Sequence, residues 1–170
     1  MQLLTAVVTL CASATASAAG ANTTWTPVLL MHGINGAPDD FNSMVDKLTT
    51  SHPGQTILPL DVFSHAASFL PLWHQIPHIT DVVRNLTKDF TGGYHLVCHS
   101  QGGIVCRALV ETMADHAVQN LVSLAGVQQG VRAIPDEYAK FLPAWLNNVT
   151  DDEVCCKIVF ALLRATLCWH

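Results

Sequence analysis

The chain has 170 residues, half of them apolar and only 12% charged, which fits one globular domain or part of one and excludes a disordered chain or a coiled coil. Eight basic residues against 13 acidic ones give a net charge of −5, and no run of Lys or Arg could neutralise a line of phosphates, so nucleic acid is not an expected partner. Nine histidines make that charge sensitive to pH. Unperturbed imidazole titrates near about 6.5, so the surface moves toward positive charge as the medium acidifies.

Residues 1–20 hold no Asp, Glu, Lys or Arg. An apolar run from Leu3 to Ala12 gives way to small residues, with Ala16-Ser17-Ala18 resembling a cleavage site, so residues 1–18 are expected to be a secretory signal peptide, although a basic n-region is missing. Thr5, Thr9, Ser13, Thr15 and Ser17 interrupt a span already short of the roughly 20 apolar residues a bilayer requires, and no later stretch reads as a transmembrane segment. Asn22, Asn85 and Asn148 each open a sequon without a central Pro and are candidate glycosylation sites. Together these features point to the secretory pathway. Loss of Cys11 with the signal leaves Cys98, Cys106, Cys155, Cys156 and Cys168, an odd number for an oxidising compartment.

In the mature part, residues 19–170, the runs Val28 to Met31 and Ile57 to Leu60 read as buried strands. Between them Phe41, Met44, Val45 and Leu48 recur at helical spacing behind Pro38-Asp39-Asp40. The segment from Leu70 to Phe90 carries Ile79, Val82, Val83 and Leu86 at helical spacing, its start delayed or kinked by Pro71 and Pro77 and its end set by Gly92-Gly93. A strand from Tyr94 to Cys98, a helix from Gly102 to Met113 and a strand from Val118 to Ala125 follow. Alternation of this kind implies a parallel sheet of α/β class. Beyond Gly130 the residues Tyr138, Phe141, Leu142, Trp145 and Leu146 suggest an amphipathic helix, and Asp151-Asp152-Glu153 the start of another reaching Leu167. There is no internal repeat and no linker that marks a domain boundary.

The chemistry sits where the third strand runs through His99-Ser100-Gln101-Gly102-Gly103 straight into a helix. A serine on such a turn has its Oγ lifted above the carboxyl edge of the sheet, with the first N–H groups of the helix aimed where a tetrahedral oxyanion would form. The competing reading is a serine that only caps the helix. Cys98 stands where the G-x-S-x-G pattern has its first glycine. His32-Gly33-Ile34-Asn35-Gly36 closes the first strand and offers a second N–H across the same cavity. An Asn-Gly turn is common anywhere, but a glycine-rich loop and a serine turn, each closing a parallel strand, together select a nucleophilic Ser100.

The stretches PVLLMHGINGAPDDF, SHPGQTILPLDVF, LPLWHQI and HLVCHSQGGIVCRALVETM, in this order, resemble the lysosomal palmitoyl-protein thioesterases, and the type 2 branch in particular. LVSLAGVQQGV is similar to the loop after the next strand in that family, and Cys168-Trp169-His170 resembles the start of its W-H-D-P sequence. The resemblance implies an α/β-hydrolase fold and hydrolysis of long-chain acyl thioesters without a cofactor. It implies Ser100 as nucleophile, main-chain N–H groups of Gln101 and Ile34 as oxyanion donors, and a disulfide between Cys98 and Cys106. A second bridge would join Cys168 to Cys156 or Cys155. The same resemblance puts the catalytic acid and histidine beyond residue 170, so the sequence is expected to be the nucleophile half of a longer enzyme. Two other readings remain. One is a compact cutinase-like triad with Asp151 or Asp152 and His170; the other is a secreted binding module without catalysis. A metal held by Cys155, Cys156, Cys168 and His170 conflicts with an oxidising compartment, and no metal is expected. His74 and His78 are expected at the surface, Trp73 in core or cap packing, and His99 turned away from Ser100.

Overall fold

The structure, a computed structural model, describes residues 25–130. The expected signal peptide and the helices beyond Gly130 lie outside these residues. Within them four strands, β1 (Val28–Met31), β2 (Ile57–Pro59), β3 (Tyr94–His99) and β4 (Val118–Leu124), form one sheet in the order β2-β1-β3-β4. All three pairings are parallel, with Met31 level with Cys98 and His99 level with Leu124. The connections are helical: α1 (Asn42–Ser51) after a 3₁₀ turn at Pro38–Phe41, α2 (Leu72–Thr87) after a second at His65–Phe69, and α3 (Gln101–Thr112).

Side chains alternate along each strand, so consecutive residues serve opposite faces. Val28 and Leu30 pack with Phe41 and Met44 beneath α1, whereas Leu29 and Met31 join Leu72, Ile79, Val83, Leu96, Val105 and Leu109 beneath α2 and α3. This two-faced burial explains why β1 reads as an unbroken apolar run. Two expectations shift by small amounts. The second strand ends at Pro59 and is half-buried, as befits its position at one edge of the described sheet. The long helix begins directly after Pro71 and runs on through Pro77.

The strand order fixes the place of the site. From β1 the chain steps outward to β2, then crosses back over β1 to β3 and continues outward to β4. The direction therefore reverses between β1 and β3, and the carboxyl ends of those two strands open a crevice that open α/β sheets use for ligands.

Candidate active site

Both sequence-selected loops lie at that crevice. Ser100 follows β3 with φ 54° and ψ −120°, a backbone region that a residue with a Cβ rarely adopts. Three main-chain bonds hold it there: its N–H donates to the Leu124 carbonyl at 2.9 Å, and its carbonyl accepts the N–H groups of Gly103 and Val127. A serine in the N-cap position would ordinarily turn its hydroxyl onto the helix. Ser100 makes no such bond. Among the described residues its Oγ has no hydrogen-bond partner, and it lines a cavity of about 470 Å³. The capping reading is thereby set aside.

The loop after β1 lines the same cavity through Gly33, Ile34, Asn35 and Gly36, joined by Phe41, Met44, His99 and Leu124. Gly33 is necessary for this approach: a Cβ on it would stand 2.9 Å from Ser100 Cβ and 3.4 Å from its Oγ. Gly102 lets α3 start against β1, since a Cβ there would meet the carbonyl oxygens of His32 and Met31 at 2.5 and 2.6 Å. No described residue accepts the Ile34 N–H, and that of Gln101, first residue of α3, has no acceptor within its helix. Asp40 Oδ2 caps the turn after the loop by accepting the Ala37 N–H at 3.1 Å. His32 is buried beneath, Nδ1 2.9 Å from the Gly33 carbonyl and Nε2 3.1 Å from that of Val62.

Cys98 and Cys106 are joined by a disulfide, which brackets Ser100 between the last turn of strand and the second turn of helix. His99 is exposed and lines the cavity without bonding Ser100 Oγ; His74 and His78 are at the surface. Trp73 is 46% exposed and so lies outside the core, because the buried stripe of α2 runs through Leu72, Gln75, Ile79 and Val83; the cap that it could pack against falls outside the described residues. Asn85 is exposed on the last turn of α2. Asn22, Asn148, Cys155, Cys156, Cys168, Asp151, Asp152 and His170 lie outside the described residues. No group of three metal-ligating side chains and no helix long and apolar enough to cross a membrane is found among the described ones.

Sequence reasoning passed over two buried polar residues, Ser68, which is bonded to both loops, and Gln75, which is bonded to Ser68. Gln75 left a signal, a polar residue on the apolar stripe of a helix. Ser68 left none, because a serine in a short irregular connection reads as a solvated turn.

The palmitoyl protein thioesterase family model matches residues 27–169. The chain belongs to that family. Its curated relatives include lysosomal thioesterase PPT2-B of Xenopus laevis, 33% identical over 145 residues that make up 85% of this chain and 50% of that protein. Lysosomal thioesterase PPT2 of Homo sapiens is 36% identical over 116 residues, 68% of this chain and 38% of that protein. The chain thus spans half or less of the length of these relatives, whose names agree with the type 2 character of its motifs. Among solved structures, the mature Bacillus licheniformis lipase BlEst2 superposes with a TM-score of 0.58 at 17% identity, over 87% of this chain and 61% of the lipase. Tomato methylketone synthase I gives 0.53 at 17% identity, over 87% of this chain and 50% of the synthase. At such identity these likenesses establish the α/β-hydrolase fold.

Proposed function

We propose that this family member supplies the nucleophile and oxyanion hole of a serine thioesterase acting on long-chain acyl thioesters, palmitoyl-CoA or S-palmitoylated protein. The observation that carries this reading is the uncapped Ser100 hydroxyl, held on strained backbone at a cavity that the glycine loop after β1 also lines. In this scheme Ser100 Oγ attacks the thioester carbonyl carbon and passes its proton to a general base. The carbonyl oxygen becomes an oxyanion between the N–H groups of Ile34 and Gln101. Collapse of the tetrahedral intermediate expels the thiolate, which takes the proton back, and leaves an ester on Ser100. Water, deprotonated by the same base, then attacks the ester carbonyl; the bond to Ser100 Oγ breaks, the base returns the proton to Oγ, and the fatty acid leaves. In this scheme the base comes from outside residues 25–130, where the family resemblance puts the catalytic histidine, and no described side chain bonds Ser100 Oγ. No cofactor enters any step.

Ile34, Phe41, Met44 and Leu124 give the cavity an apolar side suited to an acyl chain, whose burial contributes about 0.8 kcal/mol per methylene. The relatives named lysosomal thioesterases support a secretory route to the lysosome, and exposed Asn85 would carry a glycan there. A fluorophosphonate probe with a palmitoyl-CoA thiol-release assay, applied to the full-length protein with its general base in place, tests the assignment. Ser100→Ala should abolish labelling and lower turnover by about 10³-fold or more. A Ser100→Ala chain that labels and hydrolyses as well as the wild type removes the nucleophile from the scheme, and a wild-type chain that does neither favours a non-catalytic secreted module.

A further inference from the structure

The described core buries three polar side chains, His32, Ser68 and Gln75. A buried polar group is costly unless satisfied, so its partners indicate its use. Ser68, 1% exposed, lies in the 3₁₀ turn between β2 and α2 and does not line the cavity. Its hydroxyl donates to the His65 carbonyl and accepts the Asn35 N–H, both at 2.6 Å. Its carbonyl accepts Gln75 Nε2 and Gln101 Nε2, each at 3.0 Å. One residue therefore grips the loop after β1 with its side chain and the first residue of α3 with its main chain. A further bond ties the same turn to the loop, from the His65 N–H to the Gly36 carbonyl at 2.8 Å. Gln75, also 1% exposed and donating to the Leu70 carbonyl as well, anchors this turn to the core face of α2.

We propose that Ser68, braced by Gln75, is a positioning residue that sets the separation between the Ile34 and Gln101 N–H groups. By occupying the Asn35 N–H it also keeps that donor from competing with Ile34 for an oxyanion. The inference rests on Ser100 being the nucleophile. Its physical basis is that an oxyanion hole works through donors already in place, and these two stand on separate connections that no covalent link joins directly. A misplacement of about 1 Å in such a site costs about 100-fold in rate.

The test uses the full-length protein, with its general base in place, and measures fluorophosphonate labelling rates and kcat and KM for palmitoyl-CoA on wild type, Ser68→Ala and Gln101→Ala. The second variant keeps the Gln101 N–H and loses only the side-chain tie to Ser68, at a partly exposed position where Ala suits a helix. It therefore decides the matter if Ser68→Ala does not fold. Both variants should label, and turn over, about 10- to 100-fold more slowly, with KM within about twofold of wild type. Wild-type labelling rates in the folded variants, or a raised KM at unchanged kcat, overturn the positioning role alone. A wild-type chain that labels no faster than Ser100→Ala overturns the nucleophile and this inference with it.

Discussion

Gly102→Ala reverses an ordinary rule. Within a helix Ala is more favourable than Gly by about 1 kcal/mol, and Gly102 is the second residue of α3. A Cβ at this position, however, lies 2.5 Å from the His32 carbonyl oxygen and 2.6 Å from that of Met31, where Cβ atoms keep at least 3.0 Å. Both oxygens belong to the backbone at the end of β1, and Met31 is paired with Cys98, so neither can swing aside as a side chain would. Helix α3 must instead retreat from β1 by about half an ångström. Overpacking costs about 1–3 kcal/mol, and two backbone contacts place this case at the upper end, for a net loss of about 2 kcal/mol after the propensity gain. The retreat also moves the adjacent Gln101 N–H, so labelling of Ser100 should slow by about tenfold or more. Urea unfolding followed by tryptophan fluorescence reads the first effect and fluorophosphonate labelling the second. Gly92→Ala is the control, because a Cβ there meets nothing within 4 Å, and it should stay within about 0.5 kcal/mol of wild type. A Gly102→Ala chain as stable as wild type, or one that is destabilised yet labels at full rate, refutes the reasoning.

Two further outcomes concern stability. The Cys98–Cys106 bridge closes a loop of eight residues' separation, worth about 2.5 kcal/mol of chain entropy, so reduction or the Cys98→Ala/Cys106→Ala pair should lower the urea midpoint accordingly; a midpoint indifferent to dithiothreitol contradicts this. Burial holds His95 below the usual imidazole value, and its Nδ1 lies 3.1 Å from Asn120 Nδ2 on the paired strand. A histidine with a lower pKa folded than unfolded favours the fold in its neutral form. Its contribution is whole above about pH 6.5 and is lost as pH falls below that value. His95→Gln should therefore flatten the dependence of Tm on pH between 7 and 5, and parallel curves for the two proteins would remove His95 from the effect.

The sequence made the parallel sheet and the two loops of the candidate site legible where one local pattern had a single physical solution. Val28 to Met31 is apolar at every position because both of its faces are covered, and the glycines at 33, 102 and 103 mark backbone approaches too close for a Cβ. Alternation of strands and helices implied parallel pairing, but not that β1 lies between β2 and β3, because strand order is decided by which hydrophobic faces meet in space. Whether Trp73 faces the core or a cap was left open for a related reason. Helical spacing identifies a stripe, and only packing shows that the buried stripe of α2 runs through Leu72, Gln75, Ile79 and Val83, leaving Trp73 at its edge. The Ser68 clamp joins residues 33 positions apart through a main-chain carbonyl, which no side-chain pattern records.

The distribution of backbone strain links these parts. Every non-glycine residue with positive φ among the described ones lies in a connection that leaves the carboxyl edge of the sheet: Asn35 after β1, Phe63 and His65 after β2, Ser100 after β3 and Ala125 after β4. Conformations of this kind cost of order 1–3 kcal/mol each and persist only where the surroundings over-determine them. Here the surroundings are identifiable. His65 and Asn35 are both bonded within the Ser68 turn, one through its N–H to Gly36 and the other through its N–H to Ser68 Oγ. Ser100 is held by Leu124, Gly103 and Val127 and bracketed by the disulfide. The buried and hydrogen-bonded side chains of His32, Ser68 and Gln75 bear on the same edge, His32 beneath Gly33 and Val62, Ser68 and Gln75 beside Asn35 and Gln101. A fold selected for stability alone would relax these positions. Their concentration at one edge, with the rest of the described backbone free of positive φ outside glycine, is what the oxyanion hole proposed for Ile34 and Gln101 would require: donors fixed before the charge develops, so that none of their reorganisation falls on the reaction itself.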